Sequence, residues 1–268
     1  MNINLAINIG SKILRDRFVP NSKLDSEILM AEIINKDRNY ILLNSDYRIN
    51  KNDLNNFYKL IEKRSKGKPV AYLIKKKSFW NSDFFVNDDT LIPRPDTELI
   101  VENALKLTKQ KNKMNILDIG VGSGCILLSI LKEKENFYGT GIDISKKCLN
   151  MSKMNAKNLK VYSRLKLYES NVDKFNLGKY DLIVSNPPYI KSNKLKYLER
   201  DVVEFEPRLA LDGGLDGLSE IRKVIKKSSE LIKRNGKFIL EIGFDQKNKI
   251  IKLLKKEGFY INCTKKDL

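Results

Sequence analysis

The sequence predicts an α/β fold, a mostly parallel sheet with crossover helices behind a small helical N-terminal domain. Three observations carry this. From about position 96 onward, short apolar runs alternate with helical periodicities, the pattern of strands joined by crossover helices. The first of those runs, Asn115-Ile116-Leu117, leads straight into a glycine-rich turn, Gly120 to Gly124. The residues before about position 77 show helical spacing and no strand pattern.

Within residues 1–77, Ser22 with Asp25 three places on has the form of a capping box, followed by Leu24, Ile28 and Ala31 at helical spacing. Leu54, Phe57, Tyr58 and Ile61 mark a second helix that ends near Gly67 and Pro69. Residues 78–95 form a connector: Phe79-Trp80 and Phe84-Phe85-Val86 predict a short β-hairpin, closed by Leu91-Ile92-Pro93-Arg94-Pro95. The third part, residues 96–268, opens with a helix and contains candidate strands at 115–119, 137–143, 165–168, 180–185, 237–242 and 260–264. In such a sheet, ligands sit at the carboxyl ends of the strands.

Composition narrows the chemistry. The chain has 268 residues, 41% hydrophobic and 31% charged, enough for roughly two domains with a sizeable core. No apolar stretch approaches the roughly 20 residues of a membrane helix, and the start lacks a signal-peptide layout. Cys125, Cys148 and Cys263 are few, odd in number and far apart, which reads as buried, reduced thiols of a cytoplasmic protein. With no histidine at all, a Ser-His-Asp triad, a Cys-His pair, an imidazole base and a His metal site are excluded, and no metal is expected. A formal net charge of +18 points to a nucleic-acid or ribosome-associated partner, or to a lysine-rich source composition that fills solvated helix faces. Both readings stand at this level.

Two motifs carry the chemistry. Asp118-Ile119-Gly120-Val121-Gly122-Ser123-Gly124 has its glycines at alternate positions after an acidic residue. That form resembles S-adenosylmethionine enzymes more than the dinucleotide pattern, which would put Cys125 in the third glycine's place. Gly120, Val121, Gly122, Ser123 and Gly124 are the candidate cofactor loop. Asp143, at the end of the next strand, is placed to accept from both ribose hydroxyls. A strand-terminal Asp is also a common helix cap, although Ser145 is better placed for that. Asn171 and Val172 would flank adenine, or form a plain polar turn.

The second motif, Asn186-Pro187-Pro188-Tyr189, follows the apolar run Leu182-Ile183-Val184. A planar NH2 nitrogen is a poor nucleophile because its lone pair is delocalised, and two acceptors aimed at its hydrogens hold it and favour the lone pair facing a methyl donor. The Asn186 side-chain oxygen and the Pro187 carbonyl, locked between prolines, supply such a fork. Tyr189 gives a flat face for a planar acceptor. Asn-Pro-Pro after a strand is also an ordinary turn, and the glycine loop upstream argues for the catalytic reading. Asn186, Pro187 and Tyr189 are therefore the candidate catalytic residues. Asn186 also borders the cofactor, and Pro188 completes the substrate-facing segment.

Together these segments resemble the HemK/PrmC family, the N5-glutamine methyltransferases of peptide chain release factors, over nearly the whole chain. The resemblance extends to Gly67 through Tyr72, Leu91 through Glu98, Phe205 through Leu211, Asp212 through Gly217 and Glu241 through Gln246. It implies a Rossmann-like sheet that binds S-adenosylmethionine, a helical N-terminal domain that helps dock the release factor, and the glutamine of the release factor's Gly-Gly-Gln loop as acceptor. It also implies that Asn186 and the Pro187 carbonyl bind the glutamine amide, with Tyr189 packing on it. The chain departs at Ser170-Asn171-Val172, where the family usually has Gly-Asp and an aromatic residue, so softer adenine binding is expected. The resemblance further implies an antiparallel last strand that the sequence, ending at Leu268, does not reach, so 260–264 must pair differently or fray. An adenine N6-methyltransferase acting on DNA or RNA could use the same fork on a flipped base. No nucleic-acid-reading domain is recognisable, and no specific DNA binding is expected. A non-catalytic, S-adenosylmethionine-sensing or ribosome-binding protein would have little use for an intact fork.

Overall fold

The computed structural model describes residues 1–266; positions 267 and 268, the end of the predicted third part, lie outside them. In chain order the helices and strands are α1 (Ile3–Arg15), α2 (Ser22–Ile33), α3 (Arg38–Leu43), α4 (Lys51–Ser65), α5 (Val70–Leu73), β1 (Lys76–Phe79), β2 (Ser82–Phe85), α6 (Glu98–Leu107), β3 (Met114–Ile119) and α7 (Cys125–Glu133). They continue with β4 (Phe137–Asp143), α8 (Lys146–Asn158), β5 (Leu165–Glu169), β6 (Tyr180–Ser185), α9 (Arg200–Phe205), α10 (Ser219–Leu231), β7 (Ile232–Leu240) and α11 (Lys247–Lys256). Packing divides the chain into two compact units. One holds Met1–Lys76 together with Glu199–Phe205; the other holds Lys77–Leu198 and the described residues from Glu206.

The first unit is all helical. Ile3, Leu14, Leu29, Met30, Phe57 and Ile61 are among the residues of its buried cluster. Each such side chain contributes about 1.5–3 kcal/mol by leaving water. Helix α2 forms as predicted, and Ala31 is buried as expected together with Leu29 and Met30, but Leu24 at its start is 40% exposed. The expected capping box is absent. The cap residue of α2 is Asn21, without a side-chain cap bond, and Asp25 is buried against Arg64 of α4 at 2.7 Å. A buried carboxylate needs a cation more than a helix end needs a cap, because an unpaired buried charge is far costlier. Arg64 also lies 3.6 Å from Asp201 and donates to the Gly67 carbonyl. Helix α9, from the far side of the sequence, thereby joins this unit.

In the second unit, β1 and β2 form the hairpin, and the large sheet has the order β5-β4-β3-β6-β7, parallel throughout. The two-residue side-chain period sorts its core. Ile116, Leu182 and Val184 pack with α6, α7 and α8, whereas Leu117, Ile119 and Ile183 pack on the other side with α10. Helices thus cover both faces, which parallel strands require. The chain moves from β3 outward to β4 and β5, then returns to place β6 on the other side of β3. That reversal opens a crevice at the carboxyl ends of β3 and β6.

Two strand expectations change. The last paired strand begins at Ile232, before the expected 237, because a bulge at Asn235-Gly236 lies inside β7. Asn235 has φ 65°, and the register slips between Tyr180 and Leu182. Residues 260–264 form no strand. Tyr260 is 95% exposed and residues 262–266 are exposed, so the segment has neither a burying face nor a paired neighbour to hold it extended. Of the cysteines, Cys148 is buried as expected, whereas Cys125 is half-buried and Cys263 exposed.

Candidate active site

The glycine loop is held from below and from the side. The N–H groups of Gly120 and Val121 both donate to the Ile142 carbonyl, at 2.9 and 3.0 Å, which ties the loop to the end of β4. Ser152 Oγ donates to the Gly122 carbonyl and Asn155 Nδ2 to the Ser123 carbonyl, so α8 grips the loop's outer edge. Gly120 and Gly124 have φ of 79° and 84°, which disfavours other residues. Their surroundings differ. A Cβ on Gly124 would fall 2.7 Å from Leu128 Cδ1, whereas one on Gly120 would meet nothing within 4 Å. Gly124 is needed for packing at the start of α7, and Gly120 has open space beside it.

Asp143 ends β4 and accepts from the N–H of Gly122 and of Ser145, both at 2.9 Å. Burial raises its carboxyl above the ordinary carboxylate range, against the pull of those N–H groups. Ser145, as expected, caps α8 by accepting from Cys148 N–H. Each Asp143 oxygen keeps lone-pair capacity beyond its backbone bond. Asn171 turns its side-chain oxygen to the Asp173 N–H, a local turn, and Val172 is buried beside Ile142 and Phe175.

Asp118 is the residue that sequence reasoning left without a role. It is 1% exposed, and neither carboxylate oxygen has a hydrogen-bond partner among the described residues. Burial pushes its pKa up to about 7. An unpartnered carboxylate beneath a glycine loop whose front is open fits a cationic ligand with a bulky body. S-adenosylmethionine, with its ammonium and sulfonium charges, is such a ligand. The loop residues, Asp118 and Asp143 would hold it.

The fork stands beside this loop because β3 and β6 are in register, Ile119 opposite Ser185. Ser185 Oγ donates to the Ile119 carbonyl at 2.7 Å. Asn186 follows, and its Nδ2 donates to Thr97 Oγ1 at 3.0 Å. Thr97 in turn donates to Glu241 Oε2 at 2.7 Å, and the Tyr189 hydroxyl donates to Glu241 Oε1 at 3.3 Å. Glu241 is placed by its own N–H on the Ser185 carbonyl at 3.0 Å. With Nδ2 committed to Thr97, Asn186 Oδ1 is left as an acceptor for something else. Pro187 has no N–H, and its carbonyl is the next acceptor along the chain.

The backbone after the prolines is clamped as well. Gln246 Nε2 donates to the carbonyls of Tyr189 (2.9 Å) and Gly217 (3.0 Å), and Ile190 pairs with Leu211 and Gly213. Burial and the nearby Glu241 charge push the Tyr189 hydroxyl up to about 12, so it is a neutral donor at physiological pH and no base. Burial, and to a smaller degree the Asp96 charge, also raise the Glu241 carboxyl, with hydrogen bonds from Thr97, Tyr189 and Asn186 opposing the shift. Asn186, Pro187 and Tyr189 therefore meet, and the loop from Gly120 to Gly124 meets Asp143. Thr97 and Glu241 belong to this hydrogen-bond network, and motif reading did not single them out. Their only signal was membership of segments shared with a family.

This sheet, with a glycine loop after its first strand and an amide fork after its fourth, defines a methyltransferase of the kind that uses S-adenosylmethionine. Residues 95–238 match the family described as the methyltransferase small domain, and residues 6–74 match the PrmC N-terminal domain. The chain belongs to the release factor glutamine methyltransferase family. It is 37% identical over 248 residues to the release factor glutamine methyltransferase of Clostridium acetobutylicum, covering 91% of this chain and 86% of that one. With the enzyme of the same description from Buchnera aphidicola it shares 35% over 258 residues, 96% of this chain and 92% of the other. It is also 33% identical over 294 residues to the bifunctional methyltransferase of Rickettsia bellii, of which it spans 53%. No helix among the described residues is long and apolar enough to cross a membrane.

Proposed function

We propose that this protein transfers a methyl group to the side-chain amide nitrogen of the glutamine in the Gly-Gly-Gln loop of peptide chain release factors, in the cytoplasm. The observation that carries the reading is the Asn186–Thr97 hydrogen bond, which commits the Asn186 NH2 and leaves its side-chain oxygen, with the Pro187 carbonyl next to it in sequence, to serve as acceptor. Two acceptors suit an NH2 group with two hydrogens. The names of the relatives support the release factor as the protein that bears it.

S-adenosylmethionine supplies, when bound, an electrophilic methyl on a sulfonium. Gly120 to Gly124 would cradle it, with Asp143 at the ribose hydroxyls, Asn171 and Val172 beside adenine, and Asp118 offering negative charge. Asn186 Oδ1 and the Pro187 carbonyl hold the two amide hydrogens, so the nitrogen lone pair is directed away from them and toward the donor. The Tyr189 ring packs on the amide plane, with Pro188 stiffening the turn. No strong base faces the fork, since the chain has no histidine and Tyr189 stays protonated. The amide proton therefore leaves after or during C–N bond formation, once the nitrogen has become strongly acidic.

Incubating the protein with labelled S-adenosylmethionine and either release factor or duplex DNA tests this reading. Label on release factor alone supports it. Label on adenine alone replaces it with the nucleic-acid reading. The fork permits that chemistry, but nothing observed favours it.

A further inference from the structure

The hydrogen bonds behind the fork have a fixed direction, and two residues outside it set that direction. An Asn side chain presents an oxygen on one side and an NH2 on the other, and the two ends have nearly the same shape. Packing alone therefore decides poorly which end faces out. A neighbour that can only accept, or only donate, decides it well.

We propose that Thr97 and ionised Glu241 are positioning residues that lock the Asn186 side chain with its oxygen toward the acceptor amide. This rests on the methyl-transfer reading above. Thr97 has a single hydroxyl proton, and it points to Glu241 Oε2 at 2.7 Å. A carboxylate has no proton to give, so the Thr97 oxygen can offer Asn186 only lone pairs. The Asn186 NH2, 3.0 Å away, is the end that fits. Tyr189 donates to the other carboxylate oxygen, which keeps both Glu241 oxygens in use as acceptors. Glu241 cannot drift, because its N–H is bonded to the Ser185 carbonyl one residue before Asn186.

The polarity depends on the charge of Glu241. Once protonated, Glu241 can donate to Thr97, whose hydroxyl is then free to donate to Asn186. The flipped amide then becomes as good a partner, and its NH2 faces an acceptor nitrogen that also carries hydrogens. The titratable groups that bear on Glu241 are Tyr189, Asp96 and Cys125. Arg94 reaches the cluster through Tyr189.

The test compares Thr97→Val, Thr97→Ser and Glu241→Gln in full-length protein. Methyl transfer to release factor is measured alongside S-adenosylmethionine affinity, and the Asn186 side-chain NH2 is followed by NMR in the free protein. Thr97→Val and Glu241→Gln should each lower kcat by about 10- to 100-fold, a positioning effect, with cofactor affinity within about twofold. Thr97→Ser, which keeps the hydroxyl, should restore most of the rate. The double variant should be little worse than either single one, because the residues act as one unit. Wild-type kcat should fall on the acid side through the raised Glu241 titration, and Glu241→Gln should lack that limb. In the free protein the Asn186 NH2 should be protected from hydrogen exchange in wild type and Thr97→Ser, and exchange fast in Thr97→Val. Equal rates for Thr97→Val and wild type, or equal damage from Ser and Val, would overturn the lock. Because the NMR readout needs no substrate, unprotected Asn186 hydrogens in wild type would also overturn it, even with release factor fully methylated. If wild type labels only adenine while Asn186 protection follows the hydroxyl at position 97, the substrate reading fails and the lock stands.

Discussion

Ser185 Oγ donates to the Ile119 carbonyl at 2.7 Å, joining the last residues of two neighbouring strands that are 66 positions apart in sequence. The residue after Ile119 opens the glycine loop, and the residue after Ser185 is the fork asparagine. One buried hydrogen bond thus fixes the spacing between the candidate methyl-donor site and the candidate acceptor site. In a parallel sheet that spacing is set by strand register, and register is set by the core. The chemistry is positioned by packing far below it.

Replacing Asn186 separates acceptor positioning from cofactor binding. Asn186→Ala should leave S-adenosylmethionine affinity nearly intact and lower turnover by about two orders of magnitude or more, as expected when a positioning and transition-state contact is lost. Asn186→Asp should also be poor. It removes the NH2 that donates to Thr97 and puts a charge 3.0 Å from a hydroxyl oxygen that has been acting as an acceptor. Calorimetric cofactor affinity and single-turnover rates check both variants, and a parallel loss of affinity and rate would remove Asn186 from the acceptor role.

At Asp143 the order reverses. Asp143→Ala should weaken cofactor binding by about 1.5–3 kcal/mol, the typical worth of hydrogen bonds to a charged group. The loop N–H of Gly122 also loses its acceptor in this variant. Part of the effect is therefore a looser loop, which Asp143→Asn should partly repair, since an amide oxygen still accepts. Cofactor affinity unchanged in Asp143→Ala would place the ribose elsewhere.

Asp118 should make the stability of the free protein depend on pH. Its folded pKa is raised to about 7 from an ordinary value of 3.8, because burial disfavours the charge. Between those values the folded protein holds a proton that the unfolded chain releases. The contribution is therefore fully present below the ordinary value and is lost as pH rises through about 7. Asp118→Asn should flatten the fall in unfolding free energy over this window and make the free protein more stable than wild type at alkaline pH. It should also weaken S-adenosylmethionine. Urea titrations across the pH range, with and without cofactor, measure all three effects. A wild-type stability that does not fall over the window would mean that Asp118 is stabilised in its charged form.

Much of the site was legible in the sequence because its signals are local. A glycine loop after a strand and Asn-Pro-Pro-Tyr after another are each written in consecutive residues, and the α/β alternation places both at strand ends. Thr97 and Glu241 were not legible in this way, since the bonds that give them a role span 89 and 144 positions. The same cause explains Asp25. Its local spacing to Ser22 imitates a capping box, while its partner Arg64 lies 39 positions away. The start of β7 depends on distant partners in the same way: Asn235-Gly236 lies inside the strand as a bulge because Tyr180 and Leu182 on β6 pair on either side of it.

The formal charge of +18 makes a prediction of its own. If it reflects lysines spread over solvated faces, duplex DNA should bind only nonspecifically, at about 10⁻⁴ to 10⁻⁶ M, and the affinity should drop steeply with salt. Release-factor methylation should persist at salt concentrations that abolish DNA binding, because an amide in a shaped fork depends little on counterion release. DNA binding with sequence preference at physiological salt would instead assign the charge a function.

The most direct measurement of the central claim is peptide mapping by mass spectrometry of release factor after incubation with the protein and S-adenosylmethionine. The account predicts one added methyl, on the side-chain amide of a single glutamine between small residues, and none when Asn186→Ala replaces the wild type. Unmodified release factor, together with methylated adenine at defined sites in DNA treated in parallel, would contradict it.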